Sequence, residues 1–289
     1  MEYITYENLC RDIRRNLSKI PRDVSGVIGI PRSGMLPATI IAEHLNVGLA
    51  SVTDAVAGSL NLALETHGHR ELRFNGSRKL LVVDDTCYKG RSLASAKGKL
   101  HELEKLGYEL VYLCVYLEGP ADVAAPDIFL RNIRDKAQSW KPEFVLYEWN
   151  LFAHTWLTGR TLFDLDGVLC LDPPDERDQE AYEAYIQNPV PLHIPTADRV
   201  GVCTYRLPKY ANETLAFLNN AGIFCPSLYI GPWATMEERA AQLPWEWKAA
   251  VFKDPQWLLF GESEDKQARK IFELTGKPVI CIETNRAYA

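Results

Sequence analysis

No Cys-x-x-Cys pair occurs among the seven cysteines, Cys10, Cys87, Cys114, Cys170, Cys203, Cys225 and Cys281. Several sit inside aliphatic runs such as LVYLCVYL and PVICIE, so they read as reduced core residues and not as a disulfide frame or a zinc site. Long apolar runs are missing too. Nothing approaches the roughly 18 consecutive apolar residues of a membrane span, and the opening MEYITYENLCRDIRRNL has no apolar signal core. A cytoplasmic protein is expected, one that meets any membrane-linked substrate from the water side. Nor is there an excess of positive charge: the formal net charge is −6, which leaves no general basic field for gripping a nucleic-acid backbone. No nucleic-acid partner is expected, and no internal repeat is evident.

What is present is ordinary globular composition, 47% hydrophobic and 24% charged over 289 residues, long enough for two domains of typical size. Thr5 caps a first helix in which Leu9, Ile13 and Leu17 recur at i+4. Then come the strand VSGVIGI, the loop PRSG, a helix through PATIIAEHL, and a weakly periodic segment, Ser51 to Arg78, expected to be a mobile loop. The strand KLLVV runs into Asp84-Asp85, and a helix bearing Leu93, Ala96, Leu100 and Leu103 succeeds it. ELVYLCVYLE is continuous rather than alternating, as expected for a strand covered on both faces. After a looser stretch, a second βα series starts at TLFDLDGVLC. Such alternation predicts two doubly wound α/β domains with parallel sheets, at 1–157 and 158–289, with ligands at the carboxyl ends of the strands.

Two adjacent carboxylates at a strand end repel each other unless a cation or a polyhydroxyl ligand shares them. Four residues on, Lys89-Gly90-Arg91-Ser92 opens a helix, so backbone N–H groups, a hydroxyl and the helix dipole converge where an anion would sit. A turn with two solvated acids is the bland alternative. Further along, FDLDGVLC places Asp164 and Asp166 at i and i+2 on a strand end. Calcium loops also contain DxDG, but they need regular oxygen ligands and a closing glutamate that LCLDPP does not supply.

These residues carry two resemblances. VVDDTCYKGRSL, with GVIGIPRSGMLPATIIAEHL upstream, resembles the phosphoribosyl-pyrophosphate (PRPP) and pyrophosphate loops of type I phosphoribosyltransferases, over roughly residues 1 to 150. The resemblance implies that Asp84 and Asp85 hold the ribose hydroxyls, that Lys89, Gly90, Arg91 and Ser92 hold the 5-phosphate, and that Arg32, Ser33 and Gly34 hold the diphosphate. The Ser51 to Arg78 loop would close over the site. Members of that family usually carry two threonines where this chain has Tyr88 and Lys89, and purine-salvage members place an acid at the position of Tyr88.

FDLDGVLC resembles the first motif of haloacid-dehalogenase-like phosphohydrolases, a Rossmann-like fold. Carried over, Asp164 is the nucleophile, Asp166 the proton shuttle, Thr204 of RVGVCTYR the phosphoryl-binding residue, and Lys248 the charge-balancing lysine, with Lys253 its competitor. Magnesium would be held by Asp164, Asp166 and Glu262, with either Glu264 or Asp265 as the last acid; Asp265 is the one taken. The insertion between Leu171 and Asp198 would be a small cap over an open site.

Together the two resemble bifunctional glycan phosphoribosyltransferase/phosphatase proteins. The implied reaction transfers 5-phosphoribosyl from PRPP to an acceptor and then removes the 5-phosphate, leaving a β-ribofuranosyl residue, with Mg²⁺ in both domains. A glycan hydroxyl, lipid-linked or free, is the favoured acceptor, and a homodimer is compatible with the resemblance. A nucleobase acceptor with nucleotide phosphatase activity, or a PRPP-sensing regulator, are the other readings.

Overall fold

In the computed structural model the described residues are 1–57, 77–133, 144–174, 178–197 and 199–289. Most of the expected closing loop, 58–76, lies outside them, as do 175–177 and 198 of the expected cap. The chain divides into two compact units, one of Tyr6–Lys141 and one of Met1–Thr5 with Pro142–Ala289.

The Tyr6–Lys141 unit contains helix α1 (Tyr6–Arg15), β2 (Gly26–Gly29), α2 (Met35–Leu45), β3 (Gly48–Ser51), α3 (Val52–Val56), β4 (Lys79–Cys87), α4 (Arg91–Lys105), β5 (Glu109–Leu117) and β6 (Ile128–Asn132). Its sheet runs β3-β2-β4-β5-β6, and each neighbouring pair is parallel. The apolar stripe of α4, Leu93, Ala96, Leu100 and Leu103, packs with Ile28, Leu80, Val82 and Tyr112 on one face. Alternation turns Gly29 to the other face, where it meets Met35 and Ala38 of α2. Both faces are therefore covered, which is why LLVV and LCVY are apolar without a break. Asn46, at φ 54°, ends α2 in the left-handed conformation that its short side chain tolerates. Ser51 and Asp54 form a reciprocal capping box on α3.

The second unit begins with β1 (Glu2–Ile4), which pairs in parallel with β7 (Val145–Tyr147). After α5 (Thr155–Thr158) come β8 (Thr161–Phe163), α6 (Gln179–Gln187), β9 (Gly201–Thr204), α7 (Ala211–Asn220), β10 (Ser227–Ile230) and α8 (Met236–Ala240). The unit is completed by α9 (Pro244–Phe252), β11 (Leu259–Glu262), α10 (Asp265–Thr275), β12 (Val279–Cys281) and β13 (Arg286–Tyr288). The sheet order is β10-β9-β8-β11-β12-β13, parallel except for the antiparallel edge strand β13. Ala249, Phe252, Ala268 and Ile271 cover one face through α9 and α10. Phe217 and Leu218 of α7 pack with Phe163 and Val202 on the other. The doubly wound parallel architecture read from the alternation is thus found in both units. Among the described residues no helix is long and apolar enough to cross a membrane.

The units divide upstream of the boundary expected at 157/158. Leu146, Leu151 and Leu157 are buried with Leu259 and Ile280 of the second sheet, and Met1 and Tyr3 pack against the same cluster. That burial, together with the β1–β7 ladder, ties residues 144–157 to the second sheet. Six of the seven tryptophans lie in this second unit, so tryptophan fluorescence reports on it with little signal from the first. Leu146→Ala is expected to reduce the stability read by fluorescence-detected denaturation by about 2–5 kcal/mol, the usual cost of emptying a buried leucine site.

Candidate functional site

In the first unit, β2 and β4 are in register at Gly29 and Val83, and the Ile30 N–H donates to the Val83 carbonyl at 2.9 Å. The PRSG loop therefore leaves β2 beside Asp84, which is still within β4. They touch there: a Cβ at Gly34 would lie 2.8 Å from Val83 O and 2.9 Å from Asp84 Oδ1, so only glycine lets the loop come this close. The peptide between Pro31 and Arg32 is cis. Arg32 is exposed and Ser33 half-buried, both at the mouth of α2.

Asp84 and Asp85 are buried, at 7% and 3% exposure, and the Asp85 N–H donates to Asp84 Oδ1 at 3.0 Å. Burial, and next the neighbouring Asp85 charge, push the Asp84 carboxyl up to about 8. Beyond the pair, Gly90 stands at φ +79°, and a Cβ there would fall 1.8 Å from Ala124 O; both the backbone geometry and the space demand glycine. It is the N-cap residue of α4, and Lys89, Arg91 and Ser92 are exposed around it. Tyr88, 47% exposed, lays its ring against Gly119. A cavity of about 460 Å³ is lined by Asp84, Thr86 and the whole Tyr88–Ser92 loop.

In the second unit, β8, β9 and β11 lie side by side, which brings Asp164, Thr204 and Glu262 to neighbouring strand ends. Lys248 enters from α9, whose Ala249 and Phe252 anchor it on the sheet. Its Nζ donates to Asp164 Oδ2 at 2.7 Å, to Glu262 Oε2 at 2.8 Å and to Gln267 Oε1 at 3.1 Å. Burial opposes the Lys248 ammonium, but Asp164 and Glu262 together hold it above the ordinary lysine range. Two carboxylates share this one ammonium, and burial followed by the Glu262 charge raises Asp164 well above the ordinary carboxylate range. Lys253 is exposed at the end of α9.

Asp166 faces a different cation. Arg206, on the loop after β9, donates from Nε to Asp166 Oδ2 at 3.1 Å and from Nη2 to Oδ1 at 2.5 Å. Thr204 is fully buried, and its hydroxyl accepts from the Arg206 N–H at 3.2 Å. Of the two alternatives for the last acid, Glu264 lines the same cavity as Asp164 and Asp166, a space of about 700 Å³. Asp265 instead accepts from Thr284, Tyr288 and Arg286, at 3.1, 2.8 and 3.3 Å. It serves the β12–β13 end of the unit, and of Glu262, Glu264 and Asp265 it is Glu264 that lines the cavity.

Among the described residues no three carboxylate, imidazole or thiol side chains converge as a metal cage. Magnesium does not need one, because it keeps several waters and binds through one or two carboxylates plus substrate phosphate. The cavity-lining carboxylates Asp164 and Asp166 supply such hard oxygen donors. Sequence reasoning missed Arg206, Tyr185, Gln267, Asp172 and Glu283 around this cavity. Arg206 had one available signal, its position two residues past the strand-end threonine. Tyr185 had none, since it arrives from the insertion.

The Asp84 shift has a consequence for stability. The folded protein holds a proton there between the ordinary value of 3.8 and about 8, so the stabilisation is complete below the lower value and is lost as pH rises through the upper one. Thermal melts from about pH 5 to about pH 8 should therefore show wild type losing stability relative to Asp84→Asn. Asp85→Asn, which removes the second cause, should flatten the slope in part.

No family model matches the chain. Among solved structures it is similar to a purine phosphoribosyltransferase from Pyrococcus horikoshii Ot3, at 18% identity over 51% of this chain and 92% of that one, with a TM-score of 0.33. It is similar to a xanthine-guanine-hypoxanthine phosphoribosyltransferase from Helicobacter pylori, at 15% identity over 52% and 92%, with a TM-score of 0.36. It is also similar to an orotate phosphoribosyltransferase from Aeropyrum pernix, at 18% identity over 44% and 70%, with a TM-score of 0.31.

Proposed function

We propose that the chain transfers 5-phosphoribosyl from PRPP to an acceptor hydroxyl and then hydrolyses the 5-phosphate, leaving a β-ribofuranosyl residue. The observation that carries the transfer reading is the contact of Gly34 with Asp84 where the loop after β2 passes β4, with the loop opened by Gly90 beside it. A diphosphate-sized anion at Arg32–Gly34, a ribose diol at Asp84–Asp85 and a phosphate at Lys89–Ser92 would fit one ligand. PRPP has these groups in that order. The acid that purine-salvage enzymes place at the position of Tyr88 is absent, which favours a glycan hydroxyl over a nucleobase.

The hydrolytic reading rests on Asp164 and Asp166 opening into one cavity with Lys248 beneath them. In the first half of the reaction an Asp164 oxygen bonds to phosphorus, the P–O bond to the ribose carbon-5 oxygen breaks, and Asp166 passes its proton to that oxygen. In the second half Asp166 takes a proton from a water, which attacks the aspartyl phosphate and releases phosphate. Lys248 holds Asp164 in place and offsets charge beside it. Magnesium, held by Asp164 and Asp166, would supply charge stabilisation for the phosphoryl oxygens, and in the first unit it would accompany the diphosphate of PRPP. Magnesium should also raise the melting temperature of the substrate-free protein, and less so in Asp164→Asn.

Mass spectrometry of a reaction containing PRPP, Mg²⁺ and panels of bases and oligosaccharides tests the scheme. Wild type should add an unphosphorylated ribosyl unit to an oligosaccharide. Asp164→Asn should accumulate the phosphoribosylated product, and Asp84→Asn with Asp85→Asn should form neither. A phosphoribosyl unit on a base alone would replace the glycan acceptor with a nucleobase; PRPP binding without pyrophosphate release with any acceptor would make the first unit a sensor.

A further inference from the structure

Arg206 is a guanidinium with no exposed side-chain surface, and each of its nitrogens is committed. Nε and Nη2 grip the two oxygens of Asp166, and Nη1 donates to Thr214 Oγ1 of α7 at 3.3 Å. Its backbone N–H donates to Thr204, so this one residue touches both the carboxylate assigned to proton transfer and the hydroxyl assigned to phosphoryl binding. Burying such a pair is weak evidence for a stabilising role, because desolvation offsets most of the attraction and an apolar packing of equal volume does as well. What a planar fork does add is orientation: two parallel donors fix the plane of the carboxylate.

A second element converges on the same oxygen. The Tyr185 hydroxyl lies 2.7 Å from Asp166 Oδ1 and 2.5 Å from the Leu171 carbonyl, and its single proton serves one of them at a time. The Arg206 guanidinium carbon also stands 5.5 Å from the Tyr185 ring centre. Tyr185 belongs to α6, and its neighbours Tyr182 and Ile186 are buried with Leu207 and Tyr210. Helix α6 is therefore anchored next to the loop that carries Arg206.

We propose that Arg206 and Tyr185 are positioning residues for Asp166, the guanidinium fork setting the plane of its carboxyl group and the insertion helix supplying a hydroxyl that holds Oδ1. The proposal rests on the hydrolytic reading above, and it gives the 171–198 insertion a part in the chemistry beyond covering a cavity. Asp166 matters most when the departing oxygen needs a proton. The two variants should therefore discriminate between leaving groups, which a loss of folding or a general distortion would not do.

Single-turnover kinetics of the full-length protein with Mg²⁺ isolate the first half of the reaction. The probes are ribose 5-phosphate, whose leaving alkoxide must be protonated, and p-nitrophenyl phosphate, whose leaving phenolate need not be. Arg206→Lys keeps the charge but loses the fork, and it should slow ribose release on the order of 10²-fold, the lower end of what a general acid contributes. Tyr185→Phe should slow it by about 10-fold, and p-nitrophenolate release should stay near wild type in both. Equal slowing of the two substrates, or no slowing of ribose release, would overturn the proposal. If Arg206→Lys fails to fold in a thermal melt, Tyr185→Phe decides by the same comparison. Wild type that releases neither product, or activity retained in Asp164→Asn, would sink the hydrolytic reading and this proposal with it, whereas equal slowing of the two substrates would overturn this proposal alone.

Discussion

Parallel pairing between strands that lie far apart in the chain is the constraint on which both candidate centres depend. A parallel ladder brings the carboxyl ends of neighbouring strands to one edge of the sheet, and the crossover helices return each strand to that edge. In the first unit the Gly29–Val83 register sets the PRSG loop beside Asp84. In the second, the pairings of β8 with β9 and with β11 gather Asp164, Thr204 and Glu262, which are far apart in sequence. Shifting either ladder by one residue would turn these side chains to the opposite face.

The same edge concentrates charge, and the two units handle it differently. The second unit has cations built in: Lys248 lies between Asp164 and Glu262, and Arg206 grips Asp166. In the first unit the groups that shift Asp84 are its own burial and its neighbour Asp85, with no cationic side chain among them. Arg32, Lys89 and Arg91 are exposed on the loops around that pair. The carboxylates of the second centre are thus balanced by side chains of their own unit.

Much of this was legible because local signals and tertiary demands agreed. Continuous apolar runs marked the covered strands, and helices with a three-and-four spacing supplied their cover. Motif order picks Lys248 over Lys253; in the fold Lys248 is buried and Lys253 is exposed. Signals failed where structure depends on distant partners. The β1–β7 ladder and the Leu146 cluster moved the division of units upstream, since three-residue strands are too short to show a period. Glu264 and Asp265 are adjacent acids with nothing local to separate them, and the hydrogen bonds from Thr284, Tyr288 and Arg286 settle where Asp265 points.

By itself the sequence determined the main alternation of strands and helices, the doubly wound class, and the residue types that each loop carries, because periodicity, glycine placement and residue type are properties of short stretches. Only the tertiary structure decided which residues share a cavity and how they are turned. Arg206 and Tyr185 reach Asp166 from a strand-end loop and an insertion helix, and no spacing in the chain encodes that meeting. Orientation of this kind is set by packing between elements, so it exists only once the sheet has brought them together.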